Sequence, residues 1–198
     1  MNSIKECFAI ILNSNEKDSR LAARQVRKLL YTAQGRDERK DTNKIINTAP
    51  QNYAQIKDDW RQENFVLAIS VIYFTHDKEE QPDFLFPWLF QLLIHQNGVI
   101  RYAAVRMLEN EIWPLTAHIR FPGHPGGYYG ELKPALADSI IYSLLLKLNE
   151  LSADLYRPAY KKYKYVDSLP ASPYKSVQMV LAQLEELSSS NYVDSFNR

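Results

Sequence analysis

Apolar residues recur along most of this chain at spacings of three and four, the period of a helix that buries one side. The first such run is Cys7-Phe8-Ala9-Ile10-Ile11-Leu12, and Ser3-Ile4-Lys5-Glu6 precedes it. That tetrad is a capping-box pattern, in which the serine hydroxyl accepts from the third helical N–H and the glutamate accepts from the serine N–H. A second run passes through Leu21, Ala22, Val26, Leu29, Leu30 and Ala33. Asp18 or Ser19 is its expected cap and Gly35 its stop. Residues 36–50 are polar, with a short helix expected around Lys44-Ile45-Ile46, a break at Pro50 and a further helical segment near 51–57. A long helix is predicted from Asp59 to about His76. Its segments Phe65-Val66-Leu67-Ala68-Ile69 and Val71-Ile72-Tyr73-Phe74 are apolar nearly all round, so it should be central.

The second half continues in the same way. An acidic loop from Asp77 to Pro82 leads to Asp83, the expected cap of a helix over 84–96, with Pro87 tolerated in the first turn. Asn97-Gly98 makes a tight turn. The next helix, from Val99 to about Trp113, points Val99, Ala103, Met107 and Leu108 inward, and Pro114 disturbs or ends it. A helix over about 133–151 follows. Ser172-Pro173 then opens a last helix through Val177, Val180, Leu181, Leu184 and Leu187. Alternating strand patterns are absent, and six glycines are few for a turn-rich β fold.

Helical segments open at Arg20-Leu21-Ala22-Ala23, Arg61-Gln62-Glu63-Asn64, Arg101-Tyr102-Ala103-Ala104 and Ile141-Tyr142-Ser143-Leu144, each about 40 residues after the last. That is the period of stacked two-helix units, which cannot bury both faces alone and therefore stack. Val99-Ile100-Arg101-Tyr102-Ala103-Ala104-Val105-Arg106-Met107-Leu108, with Asn97 in the turn before it, resembles the second helix of a HEAT repeat. Asp18-Ser19-Arg20-Leu21-Ala22-Ala23-Arg24-Gln25-Val26 resembles it less fully. The 61 unit lacks the alanine pair and the 141 unit lacks the arginine. The resemblance implies an all-α, right-handed α-solenoid of HEAT-like repeats, clearest over 15–150, with a C-terminal capping helix within 151–190. The whole of 1–198 would form a single domain. In that family the small alanine lets helices pack closely, and the arginine often stabilises the turn. HEAT-like proteins are mostly scaffolds and adaptors that bind along a concave helical surface; a minority are enzymes, notably alkylpurine DNA glycosylases.

Composition narrows the function further. Hydrophobic residues make up 45% and charged residues 24% of 198, as in ordinary globular proteins. A formal charge of +1 argues against a dedicated DNA coater, though not against a local basic patch. A single cysteine excludes an internal disulfide and a cysteine-based zinc site, and Cys7 reads as a buried apolar thiol. With no basic leader, and no apolar run long enough to span a bilayer, the expected location is cytoplasmic, with no membrane partner.

Three segments carry candidate chemistry. The first, 119–130, is rich in glycine and proline, so backbone can approach a ligand closely while His124, Tyr128 and Tyr129 supply polar tips. It reads equally as an inter-helix connection with sharp turns. In the second, Arg157 to Tyr165, bases and aromatics interleave. Lys161, Lys162 and Lys164 would neutralise phosphates while tyrosines stack on bases, or the segment is simply solvated. The third is the face of Arg20, Arg24, Arg27 and Lys28, extended by Arg36, Arg39, Lys40 and Lys44, which suits acidic proteins or phosphate backbones. Asp59-Trp60 and Glu111-Ile112-Trp113 pair an acid with tryptophan, as a glycosylase would require. His76, His95, His118 and His124 form no HxxxH pair, and phosphate-loop and serine-hydrolase motifs are missing. Neither a metal nor a cofactor is expected. The expectation is a protein-interaction module that uses a concave face and the 119–130 loop, with no catalytic residues. The alternative is a nucleic-acid binder or HEAT-like glycosylase that uses 20–44 and 157–164.

Overall fold

A computed structural model describes residues 3–32, 39–75, 81–121, 132–157 and 172–189. Among them are ten α-helices, one short 3-10 turn and no strand. The chain divides into two compact units, residues 1–77 and 78–198.

The first unit holds five helices. Helix α1 (Ile4–Asn13) starts with the expected capping box: the Ser3 N–H donates to Glu6 Oε2 at 2.8 Å, and the Glu6 N–H donates to Ser3 Oγ at 3.1 Å. Ile4, Cys7, Phe8 and Ile11 are its buried face. Helix α2 (Glu16–Leu30) begins earlier than its sequence suggests. Its cap is Asn15, whose Oδ1 accepts from the Asp18 N–H at 3.0 Å, and not Asp18 or Ser19. Ser19 is instead buried, donating to the Ile11 carbonyl at 3.2 Å and accepting from Asn64 Nδ2 at 3.1 Å. This relay ties three helices through one hydroxyl, because a buried polar group must find partners.

Helix α3 (Arg39–Asn47) and helix α4 (Ala49–Gln55) follow, with Pro50 in the first turn of α4, where its missing N–H costs nothing. Helix α5 (Asp59–Ile72) continues into the 3-10 turn Tyr73–Thr75. It packs against α1, α2, α3 and α4, so within this unit it is the central helix its apolar run predicts. Phe65, Val66, Ala68, Ile69 and Ile72 are buried, and the Phe65 ring meets Phe8 edge-on at 5.8 Å.

The second unit opens with a turn before helix α6 (Phe86–Leu93). Asp83 does not cap this helix by its side chain; its carbonyl accepts the Phe86 N–H at 2.9 Å, and the helix starts after that turn. Helix α7 (Gly98–Leu115) is capped by Asn97, whose Oδ1 accepts from the Val99 N–H at 2.8 Å. It runs past Pro114 by one residue. Thr116 closes it, its N–H and hydroxyl both donating to the Ile112 carbonyl. Ala103, Ala104, Met107 and Leu108 are buried. Helix α8 (Ala117–Arg120) is a single turn. Helix α9 (Pro134–Leu155) and helix α10 (Pro173–Ser188) complete the unit. The Ser172 Oγ accepts from the Lys175 N–H at 3.2 Å, as the Ser-Pro start predicts. All five predicted apolar residues of α10 are buried, and the helix packs mainly against α7 and α9.

Two arginines at the recurring helix starts reach into neighbouring turns. Arg101 is buried, and its Nη1 donates to the carbonyls of His95 and Gln96 at 2.7 Å each, holding the turn between α6 and α7. Arg61 Nη1 donates to the Leu12 carbonyl in the last turn of α1, while its Nε holds Asp58 at 3.1 Å. The Leu12 carbonyl is one that a helix end leaves open, and the His95 and Gln96 carbonyls belong to the turn between α6 and α7. Arg20, the third, is exposed and pairs with Glu16 on its own helix at 3.2 Å.

Candidate functional site

In the first unit a groove of about 740 Å³ lies between α1 and α2. Its floor is apolar, built from Cys7, Ile10 and Ala22. Its rim carries Arg24, Gln25 and Lys28, and Ser14 and Asp18 stand at the other end. The groove lies where α2 packs on α1. Ala22 is buried and lines the groove.

Leu21 lines this groove and stands apart from the buried stripe of α2, although the sequence pattern places it in one apolar run with Ala22, Val26, Leu29 and Leu30. The side chain is 54% exposed although its sequence neighbours Ala22 and Ala23 are buried. In a helix Leu21 stands one turn from Lys17 and nearly one from Arg24, with Lys28 one turn further on, so an apolar group sits in a row of cations. Tyr31, 73% exposed, stands beyond the end of that row. The only acids of α2 are Glu16 and Asp18 in its first turn, and Glu16 is taken up by Arg20. Asp18 accepts from Asn15 Nδ2 at 2.8 Å. Among the described residues no carboxylate forms an ion pair with Arg24, Arg27 or Lys28.

The predicted site residues fall into two groups. Arg20, Arg24 and Arg27 are exposed on α2, and Arg24 lines the groove. His124, Tyr128, Tyr129, Lys161, Lys162 and Lys164 lie outside the described residues. The acid–tryptophan pairs do not make clefts. Glu111 is 0% exposed while Trp113 is 43% exposed and carries Arg120 over its ring at 4.2 Å, so the two side chains occupy different surroundings. Trp60 is covered in the same manner by Arg61 at 4.6 Å.

The titratable groups that depart from their ordinary values do so mainly through burial. Desolvation pushes the Glu109 carboxyl up, and the nearby Arg106 opposes it. Burial raises the Tyr53 phenol, and Asp59 adds to that. Burial also lowers Arg101. His118 Nε2 lies 2.8 Å from Asp138 Oδ1, joining α8 to α9. His95 Nδ1 accepts from the Asn97 N–H at 3.0 Å and serves the turn. Among the described residues no cluster of His, Cys, Asp and Glu is placed to hold a metal ion, and no helix is long and apolar enough to cross a membrane.

The arginines were legible in the sequence, but the groove was not. Nothing in a single chain pattern says that Ile10 on one helix and Leu21 on the next flank the same depression. Compared with known proteins, the chain matches no family model, no characterised protein and no solved structure.

Proposed function

We propose that this chain is a protein-interaction module, an adaptor built from HEAT-like helix pairs and without catalytic residues of its own. One observation carries the reading: an open groove with an apolar floor and a cationic rim, formed where α1 and α2 pack on each other. Concave apolar surface with a few placed polar groups is what binding sites share. The repeat interpretation draws support from Arg61 and Arg101. They stand about 40 residues apart and both reach carbonyls outside their own helix, Arg61 in the last turn of α1 and Arg101 in the turn before α7, and the arginine of such units often stabilises a turn. The buried alanine pairs at 22–23 and 103–104 add to it, since small residues let helices approach closely. The concave helical face and the 119–130 loop stay in this proposal as partner-binding surface; residues 122–130 of that loop lie outside the described residues.

The second reading is a nucleic-acid binder, favoured by Arg24, Arg27 and Lys28 standing without carboxylate partners among the described residues. Affinity capture from a nuclease-treated native lysate separates the two. The adaptor reading expects a discrete protein retained in near-stoichiometric amount at physiological salt. Capture that disappears with nuclease treatment, leaving only salt-sensitive nucleic-acid binding, would overturn it in favour of the second reading.

A further inference from the structure

We propose that the α1–α2 groove binds an acidic peptide segment carrying one large apolar residue, with its carboxylates against Arg24 and Lys28 and its apolar side chain on Leu21 and Ile10. The proposal rests on the protein-interaction reading and names the partner's chemistry.

Charge sets the sign of the occupant. From Leu21 to the end of α2 the exposed charges are Arg24, Arg27 and Lys28, all positive. Lysine and arginine in the last turn also suit that helix end, so they are held there at little cost and remain open to a partner. The floor sets the second requirement. Leu21, Ile10, Cys7 and Ala22 offer apolar contact that a phosphate cannot use. A nucleic-acid backbone would leave this surface uncovered and would bring its charge toward Asp18. A bilayer surface requires apolar groups that project outward, whereas Ala22 and Cys7 lie below the rim and are buried. A peptide with mixed chemistry satisfies both parts of the site.

Size agrees with a short segment. Asp18 to Lys28 covers roughly 15 Å of helix axis at the rise of an α-helix. Four or five extended residues, or a helical segment of about ten, span that length. A groove of about 740 Å³ accommodates a few side chains and no folded domain.

The test uses the full chain and a phage-displayed library of random short peptides. We expect enrichment of sequences with an aromatic or aliphatic residue flanked by Asp or Glu. Synthesised with a fluorophore, these should bind the R24E/K28E variant and the L21D variant at least ~10-fold more weakly than the original chain. All three substituted positions are exposed, and unchanged helical circular dichroism and urea midpoint identify folded variants. A peptide with Lys in place of its acids should regain affinity for R24E/K28E. Acidic peptides that bind both variants as tightly as the original chain would overturn the groove assignment while leaving the interaction reading intact. Enrichment of only basic or uncharged peptides, or of none, would also overturn it. Duplex DNA or anionic vesicles bound tightly by the original chain and lost with R24E/K28E, in the absence of any selected peptide, would overturn both.

Discussion

Replacing Arg101 by methionine isolates the role of its guanidinium. Methionine retains an apolar stem of similar reach, so packing along the side chain is largely kept and the donors are lost. Arg101 is 5% exposed, and a single nitrogen serves two carbonyls, those of His95 and Gln96, at 2.7 Å. Hydrogen bonds from a charged donor contribute about 1.5–3 kcal/mol each. Two effects reduce the loss. The guanidinium is itself desolvated, as the lowering of its pKa by burial indicates. The orphaned carbonyls also lie in a turn where His95 is only half-buried and Gln96 is exposed, so water replaces part of what is lost. The net expectation is a destabilisation of about 1–3 kcal/mol. Urea unfolding should be followed by tryptophan fluorescence in a Trp60→Phe background. That leaves Trp88 and Trp113 as reporters, both in the unit that contains Arg101. Arg101→Lys should recover part of the loss, because an ammonium carries donors for both carbonyls on a shorter stem. A change within ~0.5 kcal/mol for Arg101→Met would refute the view that this arginine holds the α6–α7 turn.

Other substitutions test the packing. Ala103→Phe overpacks a closed helix contact and should cost about 1–3 kcal/mol in a denaturant melt; a neutral result would mean the site has room. Ile69→Ala removes a fully buried side chain from the centre of the first unit and should cost about 2–5 kcal/mol, read as a fall in urea midpoint. Glu109→Gln should stabilise the fold at neutral pH. Burial raises the folded-state value above the unfolded one, so the native form favours the neutral carboxyl. Below the unfolded value the two proteins should be equally stable, and the advantage of Gln should grow as pH rises through the folded value. An advantage independent of pH would contradict that cause.

Much of the fold was legible where one helix determines its own pattern. The capping box at Ser3, the Asn97 turn, the Ser172-Pro173 start and the apolar run of α5 depend on residues a few positions apart. Misreadings arose where neighbours decided the outcome. Ser19 looks like a helix cap by type, but the Ile11 carbonyl and Asn64 make it a buried relay, and Asn15 caps the helix instead. Leu21 looks like core by residue type, but it lies on the face of α2 away from the buried stripe of Ser19, Ala22, Ala23, Val26, Leu29 and Leu30 and is exposed. Pro114 lies so near the helix end that α7 passes it. The candidate site was half legible. Charge at Arg24 and Lys28 is written in the sequence, whereas the apolar floor between them and Ile10 requires knowing that α1 and α2 are packed partners.

The most direct measurement of the central claim is amide hydrogen exchange of the full chain, alone and saturated with a selected acidic peptide. Core amides of Val66–Ile72 should be among the slowest in the free chain, since opening them needs near-global unfolding of their unit. On binding, protection should rise along Ile10–Asn13 and Leu21–Leu30 and stay unchanged along α7, α9 and α10. Added protection confined to those second-unit helices, with α1 and α2 unaffected, would contradict the claim that this chain takes its partner in the α1–α2 groove.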